Sequence, residues 1–356
     1  MYWIIALPIL LLLITLINFF TIRNPATSSD IDEFVSVIVP LRNEAANVEL
    51  LIESLKNQRA LHNVEFILLD DNSDDETLEL LTREASGISN FHIIEGKALP
   101  SGWIGKVWAL QQLLAASRGE IIVSIDADVR LKSDALSKSI TLMKSTSLDF
   151  ISPYPRQIAK SFSERLIQPL LQWSWMSTLP LRISEHASFS SMAVANGQFF
   201  IVRTNALKIA GGYESVKSAV LDDIFLARRL IDSGSHGVVV SGTDIAECRM
   251  YSSWSQIQAG YGKSLRHAFG SPVGSIFAVV SLFLGGIAPV MLAIMGSAWG
   301  LLAYLLIVTS RFFSAIKSGS RLIESFLHPL SSALLIYLIA YSYFKHGAIQ
   351  WKGRTV

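Results

Sequence analysis

The stretches that carry no charge constrain this chain most. Met1–Ile22 contains no Asp, Glu, Lys or Arg, nor does the run between Arg266 and Arg311, nor Ser325–Phe344. A helix needs about 20 apolar residues to cross a hydrocarbon core. The first stretch therefore predicts one span, the second two spans turning near Met295–Ser297, and the last a fourth. The third of the four is short, because its run ends at Arg311. Hydrophobic residues make up 51% of the chain and charged ones 17%, more apolar surface than a soluble domain could cover. Met1–Ile22 has no basic leader and no small-residue cleavage pattern directly after it, so a retained anchor is expected in place of a cleaved signal peptide. The expected organisation is an anchor at 1–22, a polar domain at 34–265 and a membrane region at 270–345 with about three spans.

Within the polar domain, short β-branched apolar runs alternate with longer amphipathic stretches, the pattern of a mostly parallel α/β sheet with crossover helices. Val35–Val39 is expected as a first strand, stopped by Pro40. A helix over Asn43–Asn57 follows, with Val48, Leu51, Ile52 and Leu55 at helical spacing. Phe66–Leu69, Phe91–Ile94 and Ile121–Ile125 are the next strands, and Thr77–Ser86 the next helix. Acidic and polar residues stand just past these strand ends, where open α/β sheets bind their ligands.

Asp126-Ala-Asp128 follows Ile121–Ile125, and carboxylates two residues apart can turn toward one hard cation, Mg²⁺ or Mn²⁺. Taken alone, such a pair is more often two solvated loop acids. In the acidic loop from Asp70 to Glu76, Ser73 or Asp74 would cap the next helix, whereas Asp70 and Asp71 could accept hydrogen bonds from a ribose or a base. Asp222 and Asp223 precede an amphipathic helix over Phe225–Ile231. Acids at a helix start are commonly dipole partners, and one of these could also act as a general base. Gly102, Gly105 and Lys106 combine close backbone approach with a cation suited to a diphosphate, without P-loop spacing. Lys106 alone reads equally well as a surface residue.

A net charge of +1 argues neither for nor against nucleic acid, and the polar part has no basic cluster with interleaved aromatics, so no nucleic-acid partner is expected. Cys248 is the only cysteine, which excludes an intramolecular disulfide and a multi-cysteine zinc site. The seven histidines show no HExxH spacing.

Read in order, Val35-Ser-Val-Ile-Val-Pro-Leu-Arg-Asn-Glu44, Asp70-Asp-Asn-Ser73, Gly105-Lys106, Asp126-Ala-Asp128, Asn196-Gly-Gln198, Gly211-Gly-Tyr213 and Asp222-Asp223 resemble the inverting family 2 glycosyltransferases of the GT-A fold. The likeness covers roughly residues 34–265. It implies that Pro40, Arg42, Glu44 and Asp71 hold the nucleoside of a UDP- or GDP-sugar, with Lys106 near its diphosphate and Asp126 on the donor side. It further implies that Asp128 binds Mg²⁺ or Mn²⁺, that Asp223 is the base, and that Asn196, Gly197, Gln198 and Asp222 line the acceptor side. Leu99–Ala109 is similar to a Leu-Pro-x-Gly-Trp-x-Gly-Lys-x-Trp-Ala pattern of membrane-attached enzymes associated with hopanoid and carotenoid glycosylation, which implies a lipid or lipid-linked acceptor. Processive synthases of the family carry Gln-x-x-Arg-Trp after the base. Here the region reads Gln256-Ile-Gln-Ala-Gly-Tyr-Gly-Lys263, so Lys263 would stand in for the arginine and long-chain synthesis is not expected.

Phe162–Ile183 has Trp173, Trp175 and several Leu and Ile residues between Arg165 and Arg182, and is expected either to lie on the bilayer and guide the acceptor or to pack as a helix on the sheet. Nucleotide sugars are cytoplasmic, so the polar domain is expected at the cytoplasmic face of the cell membrane. Arg23, Arg311, Lys317 and Arg321 agree with that orientation by the positive-inside rule. Lys345, Lys352 and Arg354 do not, which would make one C-terminal segment re-entrant or interfacial. Two rival readings are a nucleotidyltransferase, disfavoured because the first strand ends in Pro40-Leu-Arg-Asn-Glu44 and not in a Gly-rich loop, and a non-catalytic membrane protein that binds a partner. The second lacks support, since Asp126, Asp128 and Asp223 are all present.

Overall fold

A computed structural model describes residues 2–186 and 189–345, together with the backbone of 350, 351, 354 and 355. Lys352 and Val356 lie outside the described residues. Contacts divide the chain into two units, Arg23–Arg156 with Ile183–Cys248, and Met1–Ile22 with Gln157–Arg182 and Arg249–Val356. The expected domain at 34–265 is thereby divided, because 157–182 and 249–265 group with the apolar helices.

The first unit is built on eight strands: β1 (Val35–Leu41), β2 (Val64–Asp70), β3 (Phe91–Glu95), β4 (Ile121–Ile125), β5 (Val129–Leu131), β6 (Phe150–Gln157), β7 (Phe199–Arg203) and β8 (Gly237–Cys248). They form one sheet in the order β3-β2-β1-β4-β7-β6-β8-β5. The half from β3 to β4 is parallel. Beyond it, β7 runs antiparallel to β4 and β6, and β5 antiparallel to β8, so the sheet is mixed. Both faces are covered by helices, which is why β1, β2 and β4 read as continuous apolar runs. In the helix Ala45–Lys56, Val48, Leu51, Ile52 and Leu55 are the buried residues, as their spacing predicts.

Pro40 does not end β1. The strand continues to Leu41, and pairing with β4 stops at Ile38 while pairing with β2 goes on, so the missing N–H of Pro40 falls where one side of the ladder has already ended. The helix that follows starts at Ala45, not Asn43, because Asn43 is left-handed with φ 51°. Asn tolerates that conformation better than most side chains.

The link from β4 to β5 sets the curvature. β5 follows β4 after three residues, Asp126, Ala127 and Asp128, yet β4 is fourth in the sheet and β5 is last. In a flat sheet four strand spacings are on the order of 19 Å, whereas four Cα steps reach only about 14 Å. The sheet must curl back on itself, and the acidic turn bridges its middle and its far edge.

The second unit contains four helices long and apolar enough to cross a membrane: Tyr2–Thr21, Pro272–Ile294, Ala298–Ser318 and Leu322–Phe344. The turn expected at Met295–Ser297 separates the second from the third. The third is not short. It continues through Arg311, which is buried with its guanidinium over the Trp173 ring, so Arg311 belongs to the helix and not to a loop between spans. Phe162–Thr178 is a helix with a Ser161–Glu164 capping box, and Trp173 and Trp175 are buried. Within its own unit, Leu166 and Ile167 of this helix pack with Ile257, Tyr261, Leu265, Leu338 and Ile339. Asn18, buried in the first apolar helix, donates to the carbonyls of Met176 and Leu179 and accepts from Leu181 N–H, so it satisfies the end of that helix.

Candidate active site

The candidate residues of the sheet unit sit where the parallel strands end. Past β1, Arg42 folds over the β2 loop, donating to the carbonyls of Asp71 at 2.6 Å and Asn72 at 2.5 Å and to the Asp74 carboxylate at 3.3 Å. Asn43 N–H donates to Ser73 Oγ and Asp74 N–H to Asn43 Oδ1. Asn72 is also left-handed, at φ 53°. The acidic loop is thus pinned to the end of β1. Neither Ser73 nor Asp74 caps the next helix. Asp75 does that work, accepting from Thr77 N–H and from Thr77 Oγ1. Asp70 and Asp71 are buried, and Asp70 Oδ2 accepts from Ser73 N–H.

The turn after β4 presents its two acids to different partners. The Asp126 carboxylate meets Lys106 Nζ at 2.5 Å. Lys106 stands in the first turn of the helix Gly105–Ala116. Burial opposes its charge, but the carboxylates of Asp126, Asp222 and Asp223 more than offset this and hold its pKa above the usual lysine value. Lys106 is therefore a cation fixed among acids and not a free surface residue. Asp128 faces Cys248 and accepts a hydrogen bond from its thiol. Burial, then the charges of Asp126 and Glu44, push Asp128 up to about 6.

The helix Asp222–Asp232 begins with the two acids themselves. Asp223 Oδ2 accepts from Gly197 N–H at 2.7 Å and Oδ1 from Ile224 N–H at 2.8 Å. Burial and the neighbouring Asp222 charge still raise its pKa to about 6. Gly197 is the contact point of the constellation: a Cβ added there would lie 3.4 Å from Lys106 Nζ and 3.4 Å from Asp223 Cβ. Asn196 and Gln198 are buried and bound to each other, Asn196 Nδ2 donating to Gln198 Oε1 and Gln198 N–H to Asn196 Oδ1.

Lys106, Asp126, Gly197, Asp222 and Asp223 thus come together, with Asp128 beside them across the turn. Pro40, Arg42, Glu44 and Asp71 gather at the ends of β1 and β2. Lys263 belongs to the helix Trp254–Ala268 of the other unit, and its place beside a diphosphate rests on the resemblance alone. Three residues were missed from the sequence. Arg130 donates to the carbonyls of Ala127 and Val129 and to Asn47 Oδ1, and Asn47 Nδ2 donates to Glu44 Oε2, so Arg130 and Asn47 brace the acidic turn against the end of β1. Cys248 is the third.

Among the described residues no group of three or more His, Cys, Asp or Glu side chains is arranged to hold a metal ion. Asp126 and Asp128 nonetheless fit a cation shared with a phosphate ligand, since Mg²⁺ is commonly bound through one or two carboxylates, its remaining positions filled by phosphate oxygens and water.

Residues 36–209 match the family described as glycosyl transferase family 2. A beta-monoglucosyldiacylglycerol synthase of Trichormus variabilis is 28% identical over 207 residues, which are 55% of this chain and 41% of that protein. A 4,4'-diaponeurosporenoate glycosyltransferase of Staphylococcus haemolyticus is 23% identical over 263 residues, 71% of this chain and 66% of that protein. The chain therefore spans less than half the length of the first relative and about two thirds of the second. The mannosyltransferase PcManGT from Pyrobaculum calidifontis, solved in complex with GDP-Man and Mn²⁺, shares the fold with a TM-score of 0.58 at 16% identity, covering 96% of this chain and 94% of that one. Residues 36–209 thus form a glycosyl transferase family 2 domain, and the likeness to the GT-A fold extends over nearly the whole chain.

Proposed function

We propose that this protein transfers a sugar, with inversion, from a UDP- or GDP-sugar to a lipid or lipid-linked acceptor at the cytoplasmic face of a membrane. The observation that carries the reading is the convergence of Lys106, Asp126 and Asp223 around Gly197 at the ends of the parallel strands. On this reading Pro40, Arg42, Glu44 and Asp71 hold the nucleoside, and Lys106 lies near its diphosphate. Asp223 takes the proton of the acceptor hydroxyl as that oxygen attacks the anomeric carbon. The bond from that carbon to the diphosphate oxygen breaks, and the nucleoside diphosphate leaves from the opposite face. Asp126 and Asp128 would hold a Mg²⁺ or Mn²⁺ ion, whose charge when bound offsets that of the leaving diphosphate.

Two observations favour a lipid acceptor. Four helices can cross a membrane, and in one of them Val273, Ile276, Phe277 and Ile294 are 75%, 64%, 72% and 82% exposed, an apolar face suited to acyl chains and not to water. The relatives named above act on lipid-type molecules by their names. Arg23, Lys317 and Arg321 fit a cytoplasmic polar unit by the positive-inside rule.

The test is a transfer assay with the full chain in nanodiscs, radiolabelled UDP- and GDP-sugars, Mn²⁺ and a bacterial lipid extract. The reading predicts label in the organic phase for one donor, with anomeric configuration inverted by NMR. No lipid-phase product from any donor, with folded protein, would refute it.

A further inference from the structure

We infer that Cys248 is a positioning residue, which, held by Gln198, aims the Asp128 carboxylate, so that the tripeptide Asn196-Gly197-Gln198 ties the cation-binding acid and the base into one rigid piece. The inference rests on the reading of Asp128 as a cation ligand.

The geometry starts from the sheet. β5 and β8 pair so that Val129 stands opposite Cys248, which sets Cys248 at the end of the acidic turn that closes with Asp128. The thiol donates to that carboxylate. Gln198 Nε2 approaches Cys248 Sγ to 3.1 Å, and Asn196 Nδ2 fixes the Gln198 amide through its oxygen at 3.1 Å. The Gln198 carbonyl accepts from Asp126 N–H at 3.1 Å, so the same residue also holds the backbone of the acidic turn. One position earlier, Gly197 N–H holds Asp223. Gly197 thus holds the base directly, while Gln198 reaches the cation-binding acid through the Cys248 thiol and through the backbone of its turn. Asn196, Gln198 and Cys248 are 9%, 3% and 2% exposed, so their polar atoms serve the interior and present almost no surface to an acceptor.

A cysteine suits this place. Its S–H is a weak donor, enough to orient a carboxylate without satisfying it fully, and the Asp128 oxygens keep lone pairs for a cation. Groups behind a metal ligand orient it, and their loss typically costs 10–100-fold in metal affinity.

The experiment uses the full chain in detergent and reads Mn²⁺ affinity by electron paramagnetic resonance titration in the presence of a nucleoside diphosphate, without acceptor or turnover. Wild type should bind Mn²⁺ and Asp128→Ala should not. Cys248→Ala should weaken Mn²⁺ about 10–100-fold, Cys248→Ser, which keeps a donor, should recover to within about threefold of wild type, and Gln198→Met, which keeps the length but loses the amide, should fall between. The affinity of Cys248→Ala for the metal-free nucleotide should stay unchanged. A merely structural role would lower both affinities together with the melting temperature and would not separate Ser from Ala. If Asp128→Ala abolishes Mn²⁺ binding while Cys248→Ala and Gln198→Met bind as wild type does, the positioning role is refuted and the cation reading stands. If wild type binds no Mn²⁺, both fall.

Discussion

Replacing Asp223 with Asn probes the proposed base with little change of shape. The two carboxylate oxygens of Asp223 each accept one backbone N–H, from Gly197 at 2.7 Å and Ile224 at 2.8 Å. An asparagine offers one oxygen, so one N–H loses its acceptor and faces an amide NH₂, at a cost of about 1–3 kcal/mol in stability. The chemical loss is separate. Asparagine cannot take the acceptor proton, and general-base assistance contributes roughly 10²–10⁴-fold, which at 1.36 kcal/mol per decade is about 3–5 kcal/mol in the barrier. Donor binding depends on groups that the substitution leaves in place, so its affinity should change by less than about threefold. The assay pairs initial rates of lipid glycosylation with calorimetric binding of the donor in the same preparation. Turnover within about threefold of wild type, in a variant that binds donor normally, would remove Asp223 from the role of base.

Three further outcomes follow from the same geometry. With its pKa pushed up to about 6, Asp223 is protonated below that value and serves as a base only above it, so kcat/KM should fall on the acid side of about pH 6 in a pH–rate profile. Lys106→Met removes the cation that lowers the pKa of Asp223 and faces Asp126, so the acid limb should move to higher pH and donor affinity should drop; an unmoved limb would contradict the placement of Lys106. Glu164, fully buried, accepts from Lys160 and Ser161 N–H and meets Arg249, so Glu164→Ala should destabilise the protein by about 2–4 kcal/mol, read as a lower melting temperature in detergent. Although burial works against the charge of Glu164, the hydrogen bonds from Arg249 and the Ser161 cap hold its pKa down to about 2. Its contribution is therefore complete above the ordinary glutamate value of 4.5 and is lost as pH falls through about 2.

What the sequence disclosed follows from how each element is buried. β1, β2 and β4 were legible because strands covered on both faces are continuous apolar runs, and the four long helices because charge is absent or sparse over their length, although Arg311 and Lys317 inside the third and Glu324 inside the fourth hid where those two begin and end. β6 and β8 were not. Phe150–Gln157 contains Pro153 and Pro155, and Gly237–Cys248 mixes Gly, Ser, Thr and Asp, so neither shows a strand period, although β8 carries Cys248 to the acidic turn. The acids of the site were legible as motifs at strand ends. Their supports were not, because Arg130 with Asn47 and Cys248 with Gln198 are pairs 83 and 50 positions apart that only the folded sheet brings together. Asn18 was unreadable for the same reason, its partners lying on another helix far along the chain.

The central claim is that the sheet unit binds a nucleotide sugar through its diphosphate and a divalent cation. Calorimetric titration of the full chain in detergent with a panel of UDP- and GDP-sugars, with and without Mn²⁺, tests it most directly. The account predicts binding of one donor that depends on Mn²⁺ and disappears in Asp128→Ala. Folded protein that binds no member of the panel, or that binds equally well without the cation and in Asp128→Ala, would contradict it.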